Sequence, residues 1–351
     1  MNARVLTFVE RARRALSGEG REALIAAVSA EANLSKEGVR AVFDRSLAVE
    51  LAVSNDELES LSRRLGSTRS PPEIHLVLSS TVFSSALRAI VCALARSEKV
   101  SVSPSSEARV FAMALAHVAG RDLVTVHEKR PLSTLADGSE IHVFGSSETI
   151  AVFEDEASRE GRALSVVGHG PGFGIAIVRT DEDATRDALA LDASLFDQEG
   201  CLSPRLVFFA GNAAAGEAFV RGLAASFESM ETIIPRGTLA PETLAEIERY
   251  ASTAAIAGTL HRGATYCVSL SSQLEMPPIG RNLHVVSREG DELGRSLERF
   301  SRTMGRLVTN IGTEGGDLAT RELLVKLFPN VRISILGAMQ TPPLDGPADL
   351  R

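Results

Sequence analysis

The sequence has few cysteines and no long apolar run. Its three cysteines, Cys92, Cys201 and Cys267, cannot build a disulfide framework and suit a reducing compartment, so we expect a cytoplasmic protein. No group of cysteines and histidines has the spacing of zinc ligands, and we expect no metal site. No apolar run approaches the roughly 20 residues that a membrane span needs. Residues 1–18 mix charged and apolar side chains, which predicts an amphipathic helix rather than a signal peptide.

The chain also lacks an excess of basic residues. Its 37 lysines and arginines stand against 45 aspartates and glutamates, so the formal net charge is −8. A nucleic-acid surface would carry a basic patch, so we expect no nucleic-acid partner. A hydrophobic content of 44% and a charged content of 23% are typical of a soluble globular protein. Because 351 residues exceed one ordinary hydrophobic core, we expect two domains.

The hydrophobic pattern changes after about residue 68. Up to that point, apolar residues recur at helical spacing, which predicts an N-terminal helical segment over residues 1–68. Beyond it, short apolar strands alternate with amphipathic helices, the pattern of a doubly wound parallel sheet. We therefore expect a Rossmann-like cofactor-binding domain over residues 69–192, with residues 333–351 as a candidate last piece, and a cysteine-containing domain over residues 193–332.

The usual dinucleotide fingerprint is missing from the first of these domains. No G-x-G-x-x-G motif follows its first predicted strand. Ligands of doubly wound sheets bind outside the carboxyl ends of the strands, where Gly145, Ser146 and Ser147 follow a predicted strand and precede a helix. These residues could hold a nucleotide at the helix N-terminus, or they could form an ordinary strand-to-helix turn with serine caps.

One cysteine lies in a polar turn directly before a buried strand. The stretch over residues 195–204 is acidic, carries an amide and a glycine, and contains Cys201. An apolar run over residues 206–210 follows and predicts a core strand. A thiol held in such a turn is a candidate nucleophile, while the alternative is a structural cysteine, since unpaired cysteines are commonly buried.

Several stretches in the same order resemble the aldehyde dehydrogenase superfamily, and most closely its acyl-CoA reductase branch, the LuxC-like fatty acyl reductases of bacteria. The resemblance runs from Glu73 to the C-terminus. The stretches that carry it are residues 80–90, 100–105, 143–148, 196–204, 278–280 and 336–345.

The resemblance implies an α/β, aldehyde-dehydrogenase-like fold of two doubly wound domains behind the N-terminal helical segment. It implies NAD(P)H-dependent reduction of an acyl-CoA to a fatty aldehyde through an acyl group on Cys201. It also implies a homodimer. The residues that it assigns to the cofactor are Ser103, Pro104, Ser105, Gly145, Ser146 and Ser147.

Three positions depart from the superfamily pattern. Thr81 occupies the place of an asparagine that donates to the oxyanion, and a hydroxyl can also donate one hydrogen bond. Ser103 replaces a lysine and leaves room for a 2′-phosphate, which favours NADP over NAD. The glutamate that activates water has no clear match near His169, in the glycine-rich turn predicted over residues 168–172. His169 could serve as an acid or base, or it could be structural.

Two other functions stay open at this point. A related reductase of the same fold and cysteine could act on an acyl phosphate, as glutamyl-phosphate reductases do. Alternatively, the chain could be a non-catalytic relative that keeps the fold for binding, because a fold does not guarantee an activity.

Overall fold

A computed structural model describes residues 3–66, 70–78, 82–105, 108–315 and 318–346. The described residues divide into two compact units. The first unit lies within Met1–Ala32, Val42–Pro171 and Pro342–Ala348, and the second lies within Asn33–Ala41 and Gly172–Thr341.

The helices before the first strand are short and amphipathic. They are α1 (Ala3–Ser17), α2 (Arg21–Ala32), α3 (Lys36–Val42), α4 (Ala48–Leu51) and α5 (Asn55–Gly66), with a π-helical turn at Phe43–Leu47 between α3 and α4. In α1, Val5, Phe8, Ala12 and Leu16 are buried and recur every three or four residues. That spacing places them on one helical face, which explains why this segment folds as a helix against its unit.

The first unit contains a five-stranded parallel sheet. Its strands are β1 (Ile74–Val77), β2 (Val100–Ser103), β3 (Val124–Val126), β4 (Glu140–Phe144) and β5 (Ser165–His169), and its helices are α6 (Ser85–Arg96), α7 (Arg109–Ala119) and α8 (Ser147–Arg159). The strand order is β3-β2-β1-β4-β5. Because the order reverses at β1, the carboxyl ends of β1, β2 and β4 frame the crevice where ligands of such sheets bind.

The second unit contains a seven-stranded sheet in the order β12-β11-β6-β7-β10-β9-β8. The strands are β6 (Phe173–Val178), β7 (Pro204–Ala210), β8 (Thr259–Arg262), β9 (Cys267–Leu270), β10 (Asn282–Arg288), β11 (Val308–Thr313) and β12 (Arg332–Ile335). The helices are α9 (Asp183–Ser194), α10 (Ala213–Ile233), α11 (Pro241–Ala257), α12 (Asp291–Met304) and α13 (Leu318–Leu327). The edge strand β8 is antiparallel to β9, and the other pairs are parallel.

Both faces of this second sheet are buried. Along β7, Val207 and Phe209 join the cluster that includes α9 and α10, while Leu206 and Phe208 join the cluster that includes α12 and α13. A strand covered on both faces needs apolar side chains at successive positions rather than alternating ones, which is the pattern of β7. The predicted α/β class with a doubly wound sheet in each half is confirmed. None of the described helices is long and apolar enough to cross a membrane.

Candidate active site

Cys201 lies in the turn between α9 and β7, at the amino edge of the second sheet. Its side chain is half-buried. Its carbonyl oxygen accepts a hydrogen bond from the hydroxyl of Thr309, which is fully buried near the start of β11. The turn is therefore bonded, at the cysteine itself, to β11, which lies two strands from β7 in the sheet. The ligand crevice of an ordinary doubly wound sheet lies at the opposite, carboxyl edge.

Three consecutive residues ahead of the cysteine have left-handed backbones. The φ angles of Phe196, Asp197 and Gln198 are 58°, 49° and 65°. None of the three is glycine, and each such residue costs about 1–3 kcal/mol, so the conformation persists only where its surroundings fix it. All three side chains are buried.

Asp197 is fixed by contacts to two distant segments. Its carboxylate accepts hydrogen bonds from Nε of Arg281 at 2.6 Å and from the backbone N–H of Gly237 at 2.8 Å. Its own carbonyl oxygen accepts from the N–H of Gly280 at 3.0 Å. Burial raises the pKa of Asp197, and the buried guanidinium of Arg281 opposes that rise. A buried acid needs such a partner, because removing either charge would leave the other without compensation.

Gln198 is held by its side-chain amide. Nε2 donates to the carbonyl oxygens of Pro204 and Asn282, both at 2.8 Å. Oε1 accepts from the backbone N–H of Asn282 at 2.6 Å. The amide is thus bonded to the first residue of β7 and to the first residue of β10.

The far side of the turn is packed closely against β6. The hydroxyl of Ser203 accepts from Nε2 of Gln340 at 2.6 Å, and its carbonyl oxygen accepts from the N–H of Gly174 at 2.7 Å. A Cβ placed on Gly174 would lie 2.6 Å from the carbonyl oxygen of Leu202 and 2.9 Å from that of Ser203. Only glycine allows β6 to approach the cysteine turn this closely.

The other two thiols lie in environments that disfavour a thiolate. Burial raises the pKa of Cys92, on α6, to about 11, and it also raises the pKa of Cys267, on β9. Because the thiolate is the nucleophilic form, neither residue suits a nucleophilic role at neutral pH. In the part of the chain that the structure describes, no disulfide joins the three cysteines, and no cluster of three or more histidines, cysteines or acids could hold a metal.

At the carboxyl edge of the first sheet, two serine hydroxyls are buried and have no partner among the residues that the structure describes. Ser103 ends β2 and Ser105 follows two residues later. Neither Oγ has a hydrogen-bond partner among the described residues. Because a buried hydroxyl without a hydrogen bond is costly, two of them in one turn suit a polar ligand.

The turn of Gly145, Ser146 and Ser147 lies at the same edge, where β4 leads into α8. The hydroxyl of Ser146 caps α8 by accepting from the N–H of Thr149 at 3.2 Å. Ser146 and Ser147 are exposed. The capped-turn alternative therefore describes the local geometry, while the exposed helix N-terminus remains open to an anionic group.

His169 is the last residue of β5, so the prediction of a glycine-rich turn at this position was wrong. The backbone pairing with β4 extends as far as Phe144 opposite His169, which carries the strand past Gly168. Nε2 of His169 lies 3.0 Å from Nδ1 of His142, whose Nε2 lies 3.2 Å from the carboxylate of Glu140. The imidazole therefore belongs to a hydrogen-bonded chain at the carboxyl edge.

The series of hydrogen bonds from His169 through His142 ends at the carboxylate of Glu140, which is negatively charged. Burial alone would raise the pKa of Glu140, but hydrogen bonds from His142 and Arg96 outweigh it and hold this pKa at about 2. Burial lowers the pKa of His142. A neutral His142 that donates from Nε2 to the carboxylate keeps Nδ1 as an acceptor, so His169 donates to it from Nε2.

Sequence reasoning assigned no role to Asp197, Gln198, Arg281, Asn282 or Thr309 in holding the cysteine turn, nor to Glu140 and His142 beside His169. The spacing of Glu140 and His142, two residues apart on one strand, was an available signal for a shared face. For the pairs that join residue 197 to 281 and 198 to 282, no local signal exists. Thr81 lies outside the described residues.

Solved structures of known proteins share this fold. An oxidoreductase from Marinobacter aquaeolei superposes with a TM-score of 0.73 at 13% identity, over 97% of this chain and 79% of that one. An NAD-dependent aldehyde dehydrogenase from Sinorhizobium meliloti superposes with a TM-score of 0.69 at 14% identity, over 95% of this chain and 74% of that one. An aldehyde dehydrogenase from Pseudomonas syringae, solved with NAD+ and octanal, superposes with a TM-score of 0.68 at 13% identity, over 95% of this chain and 76% of that one. The fold is therefore the aldehyde dehydrogenase fold.

A family pattern that matches most of the chain defines the protein's class as an oxidoreductase acting on aldehyde or acyl groups. The chain belongs to the acyl-CoA reductase (LuxC) family, whose pattern it matches over residues 3–291. The family resemblance seen in the sequence is confirmed. No curated protein matches the chain significantly.

Proposed function

We propose that the chain reduces an acyl-CoA thioester to an aldehyde with NAD(P)H, through an acyl group carried on Cys201. The observation that carries the proposal is the turn of Cys201. Its thiol is half-buried, and the left-handed residues before it are held by hydrogen bonds to distant segments. Strain of this kind gathers at functional sites, where the surrounding structure must hold it in place. Membership of the acyl-CoA reductase family supplies the substrate class.

In the proposed reaction, the Cys201 thiolate attacks the thioester carbonyl. The Sγ–C bond forms, the bond from carbon to the CoA sulfur breaks, and CoA takes up a proton to leave as the thiol. A bound nicotinamide cofactor would supply the hydride that reduces the acyl-cysteine. Hydride addition would leave a hemithioacetal anion on Cys201, whose C–Sγ bond breaks as the C=O bond re-forms, so that the aldehyde departs and the thiolate is restored. The backbone N–H of Cys201 and the hydroxyl of Thr81 are the proposed donors to the carbonyl oxygen.

The proposed cofactor site is the carboxyl edge of the first sheet. The hydroxyls of Ser103 and Ser105, which bond none of the described residues, fit a polar group such as a ribose or a phosphate. Pro104 shapes the turn between them, and the exposed N-terminus of α8 behind Gly145, Ser146 and Ser147 suits a pyrophosphate. The serine at position 103, in place of the superfamily's lysine, supports NADPH over NADH.

His169 is the proposed acid or base at this edge. Its bond to His142 and the Glu140 carboxylate beyond fix the ring's tautomer and orientation. A hydrogen-bonded carboxylate behind a histidine is how many enzymes orient such a group.

The test measures NADPH and NADH oxidation with acyl-CoAs of increasing chain length. The variant is Cys201→Ala, and Cys92→Ala is the matched control because its thiol has a raised pKa. Turnover that is lost in Cys201→Ala and kept in Cys92→Ala supports the proposal. Turnover with acyl phosphates alone would favour the acyl-phosphate alternative. A Cys201 that is inert to iodoacetamide, together with no turnover, would favour a non-catalytic relative.

We further propose, from the family resemblance, that the protein acts as a homodimer in the cytoplasm. Sedimentation equilibrium tests the first part, with twice the chain mass of 37.3 kDa as the expected result. A single-chain mass at micromolar concentration would contradict the dimer.

A further inference from the structure

We propose that Gln198 is a positioning residue that holds the Cys201 thiol in line for acyl transfer; the proposal rests on the function proposed above. Cys201 lies three positions after Gln198 and three positions before Pro204. The bond from Gln198 Nε2 to the Pro204 carbonyl joins the two ends of that segment at 2.8 Å. Cys201 is therefore the middle residue of a loop that is closed by the side-chain amide of Gln198.

The same amide occupies a place where the sheet itself cannot supply a bond. The pairing of β7 with β10 begins at Leu206 opposite His284. Two residues earlier on β7 stands Pro204, which has no N–H to donate. The Gln198 amide bonds the N–H and the carbonyl of Asn282 at 2.6 and 2.8 Å and so replaces the missing strand contact.

The chemistry of these bonds is specific to glutamine. The amide uses two donor bonds and one acceptor bond at the same time, and the side chain is 2% exposed. Glutamate has the same shape but would turn a carboxylate oxygen towards two carbonyl oxygens. Leucine fills the space and bonds none of the three groups. Asparagine is one methylene shorter and cannot span the same distances.

The left-handed backbone at Gln198 depends on these amide hydrogen bonds. Gln198 has a φ of 65°, and it and the two residues before it adopt conformations that residues other than glycine disfavour. Once the amide bonds are lost, the segment can relax towards ordinary φ values, and the thiol moves with it. A displacement of about 1 Å can lower the rate of a positioned reaction by about 100-fold.

The experiment compares two reactions of Cys201 in wild type, Gln198→Leu and Gln198→Glu. The first is transfer of an acyl group from acyl-CoA without cofactor, followed as a mass increase on the peptide that contains Cys201. The second is alkylation by iodoacetamide, a small reagent that makes little demand on orientation. Steady-state kcat and KM and the melting temperature are measured alongside. Leu223→Ala, in the core contact of α10, is the control for a general loss of stability.

We expect both Gln198 variants to lose acyl transfer and kcat by about 100-fold, with KM and the alkylation rate within about threefold of wild type. Leu223→Ala should melt earlier and keep its acyl-transfer rate. Acyl transfer at the wild-type rate in either folded variant would overturn the proposal. An equal loss of acyl transfer and alkylation would also overturn it, because Gln198 would then act on the thiol's reactivity. If wild type itself takes up no acyl group, it is the proposed function that fails. Gln198→Glu keeps the test decisive if Gln198→Leu does not fold.

Discussion

The rings of Phe144 and His169 stack at the carboxyl edge of the first sheet, with centroids 4.1 Å apart and planes 7° from parallel. They end the neighbouring strands β4 and β5 and lie opposite each other in the pairing register. The ring of His169 is therefore held by a stacking partner on its face and by His142 at its edge. A histidine fixed in this way keeps one ring orientation, and proton transfer requires a positioned group.

Replacement of His169 by glutamine should lower kcat by about 100-fold or more, the usual contribution of a general acid or base. Glutamine keeps a polar side chain, so the melting temperature should change little. The measurement is NADPH oxidation with the best acyl-CoA. His117, an exposed histidine on α7, provides the same substitution as a control. Equal activity in the two variants would favour the structural alternative for His169.

Glu140→Gln should lower stability at neutral pH, and the loss should disappear in acid. The pKa of Glu140 is about 2 in the folded protein, below its ordinary value of 4.5. A depressed carboxyl pKa contributes stability above the unfolded value and loses it as the pH falls through the folded value. Denaturant unfolding of both proteins at pH 7, 4.5 and 2.5 measures this. A difference in unfolding free energy that stays constant across these pH values would refute the expectation.

The alternation of strands and helices and the position of the cysteine ahead of β7 could be predicted because both are local features. The apolar runs that became β6 and β7 are buried on both faces and carry a strong signal. The left-handed run at Phe196, Asp197 and Gln198 could not be predicted. The glycine of that stretch is Gly200, and of the three residues only Asp197 is of a type that tolerates a positive φ, so a run of three had no local signal.

The reason lies in contacts between residues far apart in sequence. Arg281 and Asn282 lie 84 residues beyond Asp197 and Gln198, and their bonds outweigh the local backbone preference. His169 illustrates the opposite case. Glycines on both sides favoured a turn, yet pairing with β4 drew the residue into a strand. Tertiary contacts decide such positions, and local propensity is only a weak guide to them.

Ser103→Ala should weaken the binding of NADPH more than the binding of NADH. If the buried hydroxyl bonds a 2′-phosphate, its loss removes a hydrogen bond to a charged group, worth about 1.5–3 kcal/mol, or roughly 10- to 150-fold in KM. NADH lacks that phosphate, so its KM should change by less than about threefold. Ser139 is the matched control, since its hydroxyl is also buried without a partner among the described residues. Equal changes for both cofactors would remove the support for NADPH.

Gly174→Ala should disturb the cysteine turn directly. The added methyl group would lie 2.6 Å from the Leu202 carbonyl oxygen and 2.8 Å from Cε of Met339. Met339 can move, but the backbone carbonyl cannot retreat without shifting the turn. We expect a loss of about 1–3 kcal/mol in the free energy of unfolding, typical of an overpacked core, together with slower acyl transfer to Cys201.

Gly294 supplies the control for this last substitution. It lies within α12, and a Cβ there would meet nothing within 4 Å. Gly294→Ala should raise the free energy of unfolding by about 0.5–1 kcal/mol, because alanine favours the helix, and should leave acyl transfer unchanged. Denaturant unfolding and the Cys201 mass shift measure both effects. If Gly174→Ala matched Gly294→Ala in both, the close approach of β6 would have no part in holding the thiol.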